Sequence, residues 1–151
     1  MEWYAQHFNY PLFRCNSAVT LLEGPLVYTC GRMEELKIES ISGSREGVRI
    51  LRLTGPFVLQ GVFEFQSIAR AGTDPVTIVD LTAVPFMDSA ALGAVMGLHV
   101  SCQRQQRKYG LVGASSRLRT LFEVAGVAGI LSTFRTVEEA EEKLASSTEV
   151  K

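Results

Sequence analysis

The chain has 151 residues, 46% hydrophobic and 21% charged, which is the length and make-up of one globular domain with a real core. Fifteen basic against sixteen acidic side chains leave a formal net charge of −1, so no global positive field draws nucleic acid or an anionic membrane to it. The three cysteines, Cys15, Cys30 and Cys102, form no CxxC pair and there are two histidines, which argues against a disulfide scaffold and a zinc module.

The first 32 residues differ from the rest. They hold six of the thirteen aromatics (Trp3, Tyr4, Phe8, Tyr10, Phe13 and Tyr28), two of the three cysteines and four charged side chains. No basic region precedes an apolar run, and Ala18 to Leu22 is cut short by Glu23, Gly24 and Pro25, so the segment does not read as a secretory signal. It also falls short of the roughly 20 apolar residues that a bilayer span needs. These features predict a cytoplasmic protein without membrane insertion, whose unpaired thiols suit a reducing compartment. Residues 1–32 are expected to be a mis-assigned start or a poorly ordered extension, with the domain proper at 33–151.

From Met33 the hydrophobic period alternates between strand and helix. Leu36, Ile38 and Ile41 mark a weak strand, and Val48 to Leu53 a half-buried one, joined by the turn-rich Ser42 to Gly47 into a hairpin. Phe57 to Ala71 places Val58, Val62, Phe65 and Ala69 on one helical stripe. Val76 to Leu81 reads as a strand buried on both faces. Asp88 then caps a helix that starts at Ser89 and runs as far as Arg104 to Lys108. Tyr109 to Ala114 predicts a strand, Ser115-Ser116 opens a helix that ends at Gly126, and Ile130 to Phe134 predicts a further buried strand. Val137, Ala140 and Leu144 set the inner face of an acidic last helix. The expected fold is α/β, a small mixed sheet of about four to five strands packed by about four helices.

The segment Asp80 to Gly93 carries the most chemistry. It places Ser89 at a helix start outside the carboxyl end of a strand, where open α/β sheets hold ligands and where the first helical turn has unpaired N–H groups. A phosphate on Ser89 would meet the positive end of the helix dipole, an effect of about 0.3 to 1 kcal/mol when exposed. Asp-Ser is equally a common plain helix start, and the residues alone leave both readings open.

Enzymatic readings fit less well. Ser89 lacks the G-x-S-x-G elbow, and His99 lies about 15 Å along the same helix, out of reach as a base. The turn Leu111 to Ser116 has neither G-x-G-x-x-G nor a Walker lysine, and a plain cap accounts for Ser115. With only Asp74, Asp80 and Asp88 as aspartates, no carboxylate metal site or cofactor is expected. From Ser89 to Phe122 there is no acid, while Arg104, Arg107, Lys108, Arg117 and Arg119 are basic and Glu138, Glu139, Glu141 and Glu142 follow. Such patches orient a protein partner or a second copy of the domain, or are a solvated helix end and an ordinary polar face.

Residues 33–151 resemble a STAS domain, the module of sulphate transporters and bacterial anti-sigma factor antagonists. The resemblance rests on Leu53-Thr54-Gly55, on Val79-Asp80-Leu81 through Phe86-Met87-Asp88-Ser89, on Ala91-Leu92-Gly93, and on Leu118 through Val127. It implies a STAS-like fold and a protein without chemistry of its own. In that family the serine after the loop aspartate is phosphorylated by an anti-sigma factor that is also a serine/threonine kinase. The unphosphorylated antagonist binds that kinase and frees the sigma factor, and a serine phosphatase resets the cycle. The serine carries over to Ser89 and the aspartate to Asp88. The implied docking surface is Phe57, Val58, Pro85, Phe86, Met87, Asp88 and Ala90, with Phe57 and Met87 as apolar anchors. The chain departs from the pattern at Ala90-Ala91, where Ser or Thr and then Gly are frequent, and at Pro56 to Leu59, where an acid often stands. These departures support an alternative, a STAS scaffold subunit of a transporter or stress-sensing complex that is not regulated by phosphate.

Overall fold

The computed structural model describes residues 34–146, so the expectation for residues 1–32 lies outside the described residues. Strand β1 (Lys37–Ser42) pairs antiparallel with β2 (Val48–Thr54), Lys37 opposite Thr54 and Ser42 opposite Arg49, as the turn residues between them predicted. Then follow α1 (Leu59–Ala71), β3 (Val76–Ala83), α2 (Ser89–Arg104), β4 (Lys108–Val112), α3 (Ser116–Val124), β5 (Thr133–Phe134) and α4 (Val137–Ser146). The sheet order is β1-β2-β3-β4-β5, parallel from β2 onward, so the expected small mixed sheet with its helices is what the chain forms.

Successive crossovers advance along the sheet in one direction, and connections of one hand then deliver their helices to one face. Accordingly Leu51, Leu53, Val79, Leu81 and Leu111 pack against Phe65 of α1, Val95 and Leu98 of α2, and Leu118 and Phe122 of α3. Val48, Ile50, Val76, Ile78 and Val112 form a smaller core on the other face with Ala140, Phe134, Val137 and Leu144. β3 is buried from Val76 to Leu81, which is why its sequence is a β-branched run and not an alternation.

Several boundaries are sharpened or shifted from the sequence expectation, β3 running on to Ala83 and β4 spanning Lys108–Val112 in place of Tyr109 to Ala114. Helix α1 begins at Leu59, because Phe57 is in extended pairing and Val58 is the extended N-cap. Helix α2 ends at Arg104; Gln106 turns with φ +54° and Lys108 already belongs to β4. The predicted buried strand Ile130 to Phe134 shrinks to Thr133–Phe134. Helix α3 closes with Gly126 at φ +72°, Val127 N–H donating to Phe122 O (2.9 Å) and Gly126 N–H to Glu123 O (3.0 Å), a Schellman arrangement. Ile130 and Leu131 N–H both turn back to Val127 O, so only Thr133 and Phe134 remain to pair with Leu111 and Val112.

Buried and exposed phenylalanines on α1 set a stability test. Phe65 is fully enclosed and Phe63 is 76% exposed, so Phe65→Ala should cost about 3–5 kcal/mol in urea unfolding and Phe63→Ala within about 0.5. Burial pushes the Cys102 thiol up, against the pull of the Arg107 charge. Peptide mapping after iodoacetamide treatment at neutral pH should therefore find Cys102 unlabelled in folded protein and labelled once urea unfolds it.

Candidate functional site

Parallel neighbours β2 and β3 release two loops at the same edge of the sheet, and backbone hydrogen bonds join those loops before either helix begins. Gly55, at φ +101°, donates its N–H to Ala83 O (3.1 Å). Phe57 N–H donates to Phe86 O (3.1 Å) and Asp88 N–H to Phe57 O (3.2 Å), which makes a short parallel bridge between Phe57 and Met87.

The carboxylate of Asp88 completes the junction. Its Oδ1 accepts from Ala91 N–H of α2 at 2.8 Å, the N-cap bond the sequence predicts. Its Oδ2 accepts from Leu59 N–H, the first residue of α1, at 3.0 Å. Val58 contributes no side-chain cap to α1, so one carboxylate serves the N-termini of two helices. A negative charge there also faces the positive ends of both helix dipoles.

Ser89 is the first residue of α2 and is exposed. Among the described residues no protein group accepts from the Ser89 or Ala90 N–H, since Asp88 takes up Ala91 and Leu92 N–H (3.0 Å to Asp88 O). The hydroxyl therefore stands in solvent, behind an occupied carboxylate and above open donors. Around it Pro85 is exposed, and Val58, Phe86, Asp88 and Ala90 are half-buried.

The expected anchors Phe57 and Met87 are a correction. Phe57 is fully enclosed and Met87 nearly so, because the parallel bridge turns both into the core, where the Phe57 ring meets Phe65 at 5.0 Å. The apolar surface beside Ser89 comes instead from Leu59 and Phe63, 59% and 76% exposed and one turn apart on α1. The sequence carried a signal for them, a second apolar pair at i, i+4 outside the stripe of Val62, Phe65 and Ala69.

The other polar groups are engaged elsewhere. Tyr109 OH lies 2.9 Å from His99 Nδ1 and accepts from Ser132 N–H at 3.4 Å, while burial pushes the phenol up. Ser115 Oγ accepts from Leu118 N–H (3.4 Å), the plain cap expected of it. Asp80, on the α4 face, accepts from Thr82 N–H (3.0 Å), Thr82 Oγ1 (2.6 Å) and Arg52 Nε (3.4 Å). Among the described residues no cluster of three or more His, Cys, Asp or Glu side chains is placed to hold a metal ion, and no helix is long and apolar enough to cross a membrane.

Comparison with known proteins gives this geometry a context. A family model described as the STAS domain matches residues 43–140. An anti-sigma-B factor antagonist of Listeria monocytogenes is 42% identical over 53 residues, which is 35% of this chain and 46% of that protein. The match thus spans less than half the length of that curated relative. The crystal structure of an anti-sigma factor antagonist from Mycobacterium paratuberculosis has a TM-score of 0.63 at 17% identity, covering 72% of this chain and 95% of its own. A sulfate transporter family protein from Wolinella succinogenes has the same fold, with a TM-score of 0.63, 21% identity and coverage of 70% and 91%.

The shared cap predicts a graded series in urea unfolding. Asp88→Ala removes caps from two helices and should cost about 2 kcal/mol. Asp88→Asn keeps the bond to Ala91 but sets an amide NH₂ against the Leu59 N–H, and should cost about 1 kcal/mol. Ser89→Ala should change stability by less than about 0.5 kcal/mol.

Proposed function

The chain belongs to the STAS domain family, and from that footing we propose that it is an anti-sigma factor antagonist whose switch is Ser89. The observation that carries this reading is the exposed Ser89 hydroxyl at the first position of α2, beside a carboxylate already bound to both helix starts. The likeness to the Listeria antagonist supports the same reading.

The partner is an anti-sigma factor that is itself a serine/threonine kinase, and in the unphosphorylated state it docks on Val58, Pro85, Phe86, Asp88 and Ala90, with Leu59 and Phe63 as the apolar contacts. Docking frees the sigma factor and turns transcription on. Transfer of a phosphoryl group from ATP to Ser89 Oγ releases the hydroxyl proton and adds about 1.5 to 2 negative charges. The open N–H groups of Ser89 and Ala90 and the helix dipole stabilise that charge by roughly 0.3 to 1 kcal/mol, so the fold holds it. Beside Asp88 the same charge repels the partner. A serine phosphatase removes it, and the protein works in the cytoplasm as a substrate and binder without catalysis of its own.

The test is to incubate the full chain with ATP and the serine-kinase anti-sigma factors of its source and to map phosphate by mass spectrometry. Ser89 should carry it, Ser89→Ala should bind the kinase as the parent does, and Ser89→Asp should bind about tenfold more weakly or worse. An unmodified Ser89 together with unchanged binding of Ser89→Asp overturns the switch. Recovery of a transporter subunit in a pull-down, with no kinase, would then establish the scaffold reading that Ala90-Ala91 favours.

A further inference from the structure

Helices α1 and α2 follow adjacent parallel strands and start together under Asp88, so they run side by side with a groove between them. Within it a cavity of about 300 Å³ is lined by Gln66 and Arg70 of α1 and by Gly97, Val100, Ser101 and Arg104 of α2. The α2 wall is built from small residues. Ala90, Gly93, Gly97 and Ser101 recur at i, i+3, i+7 and i+11, and a Cβ on Gly93 or Gly97 would meet nothing within 4 Å. On α1 the exposed Phe63 stands toward the Ser89 end, in line with Gln66 and Arg70 at i, i+3 and i+7, and on α2 Val100 adds a 43% exposed apolar side chain farther along the groove. At the far end Arg70 and Arg104 close the groove. Among the described residues no acid lines it and neither arginine is paired with one.

We infer that this groove seats a helix of the protein partner, amphipathic, with its apolar side in the trough and carboxylates over Arg70 and Arg104. The inference rests on the reading of the chain as an antagonist that docks a protein, and it extends the docking surface from Ser89 along both helices. The dimensions suit a helix, since the 16 residues of α2 span about 24 Å, or more than four turns. At Ala90, Gly93, Gly97 and Ser101 side chains of at most two heavy atoms let a third axis approach to the 8–10 Å of packed helices, which large residues there would prevent. The charge pattern selects the sign. Two guanidinium forks in the last turns complement their own helix dipoles and still present donors matched to carboxylates, so they favour an acidic helix and reject a basic one.

A second copy of this chain fits poorly as occupant. Its acidic helix α4 has the right charge, but Val137, Ala140 and Leu144 already commit its apolar side to the smaller core. The acidic character of the occupant also explains why the switch sits where it does, for a phosphate on Ser89 would oppose the same carboxylate-bearing partner at the groove's other end.

The experiment places photoreactive benzoylphenylalanine at Phe63 of the full chain and adds the purified serine-kinase anti-sigma factor from the same source. The expected result is a crosslink to a helical peptide of the kinase that carries acids within about two turns of the linked residue. The double variant Arg70→Glu, Arg104→Glu should weaken kinase binding about tenfold or more, reversal of those acids to lysine should restore it, and Arg117→Glu, Arg119→Glu on α3 should leave it unchanged. Circular dichroism and urea unfolding of each variant confirm that it is folded. Binding that ignores the double reversal, or a crosslink confined to a second copy of the chain, overturns the groove. A kinase that phosphorylates Ser89 yet ignores Arg70 and Arg104 removes the groove and leaves the switch, whereas one that needs both arginines and leaves Ser89 unmodified removes the switch and leaves the groove. Absence of any binding overturns both.

Discussion

Everything at the carboxyl edge of this sheet depends on one carboxylate with two backbone clients. Each helix start exposes unpaired N–H groups that must find an acceptor, and two helices entering side by side double that demand. Asp88 meets it by giving one oxygen to Ala91 of its own helix and the other to Leu59 of its neighbour. The arrangement works only because the Phe57–Met87 bridge has already brought the two loops into register. The bridge also sends Phe57 inward, where a buried side chain of that size contributes about 1.5–3 kcal/mol by leaving water. Cap and bridge therefore reinforce each other, and they fix Ser89 without using any atom of its side chain.

Capping and surface exposure thus fall to two neighbouring residues, Asp88 and Ser89. Had the serine been the cap, any change to its hydroxyl would remove the acceptor the helix needs. With the aspartate as cap, the serine hydroxyl is surplus to the fold. The exposed apolar pair Leu59 and Phe63 is surplus in the same sense, since the core face of α1 is complete with Val62, Phe65 and Ala69. Leu59 and Phe63 thus keep apolar area in water that the core does not use.

Legibility in the sequence followed the range of the interactions concerned. The Asp88 cap on α2 was readable because its partner lies three residues away and the residue type is diagnostic. Its bond to Leu59, 29 residues distant, was not, because the partner is a backbone N–H that every residue type carries. The same limit misplaced Phe57. Its apolar run continues the helical stripe of α1, and only the parallel bridge to another loop shows that it is extended. Ile130-Leu131 misled in the opposite way: two β-branched or bulky apolar residues read as a buried strand, whereas Leu131 is buried as the end of the turn that follows α3 and Ile130 is half exposed. The β3 run and the hairpin, by contrast, were fixed by local turn chemistry and by burial on both faces, and emerged where expected.

The opposite face of the sheet shows what a closed surface looks like in the same molecule. Glu141 of α4 is 4% exposed, a costly position for an acid unless its oxygens are satisfied. The Ser44 N–H donates to Oε1 at 2.9 Å and the Ser44 hydroxyl to Oε2, which ties the β1–β2 turn to α4. Asp80 is held likewise by Thr82 and Arg52, and because Arg52 remains 49% exposed the two bonds from Thr82 contribute more than that ion pair. Carboxylates on this face thus bind the protein to itself. On the α1–α2 face, which also holds the larger core, Leu59 and Phe63 are left in water, and among the described residues Arg70 and Arg104 form no ion pair. Both faces hold a core, and they differ in what they leave in water: the α4 face draws its carboxylates inward, whereas the α1–α2 face keeps apolar side chains and the guanidinium groups of Arg70 and Arg104 outward.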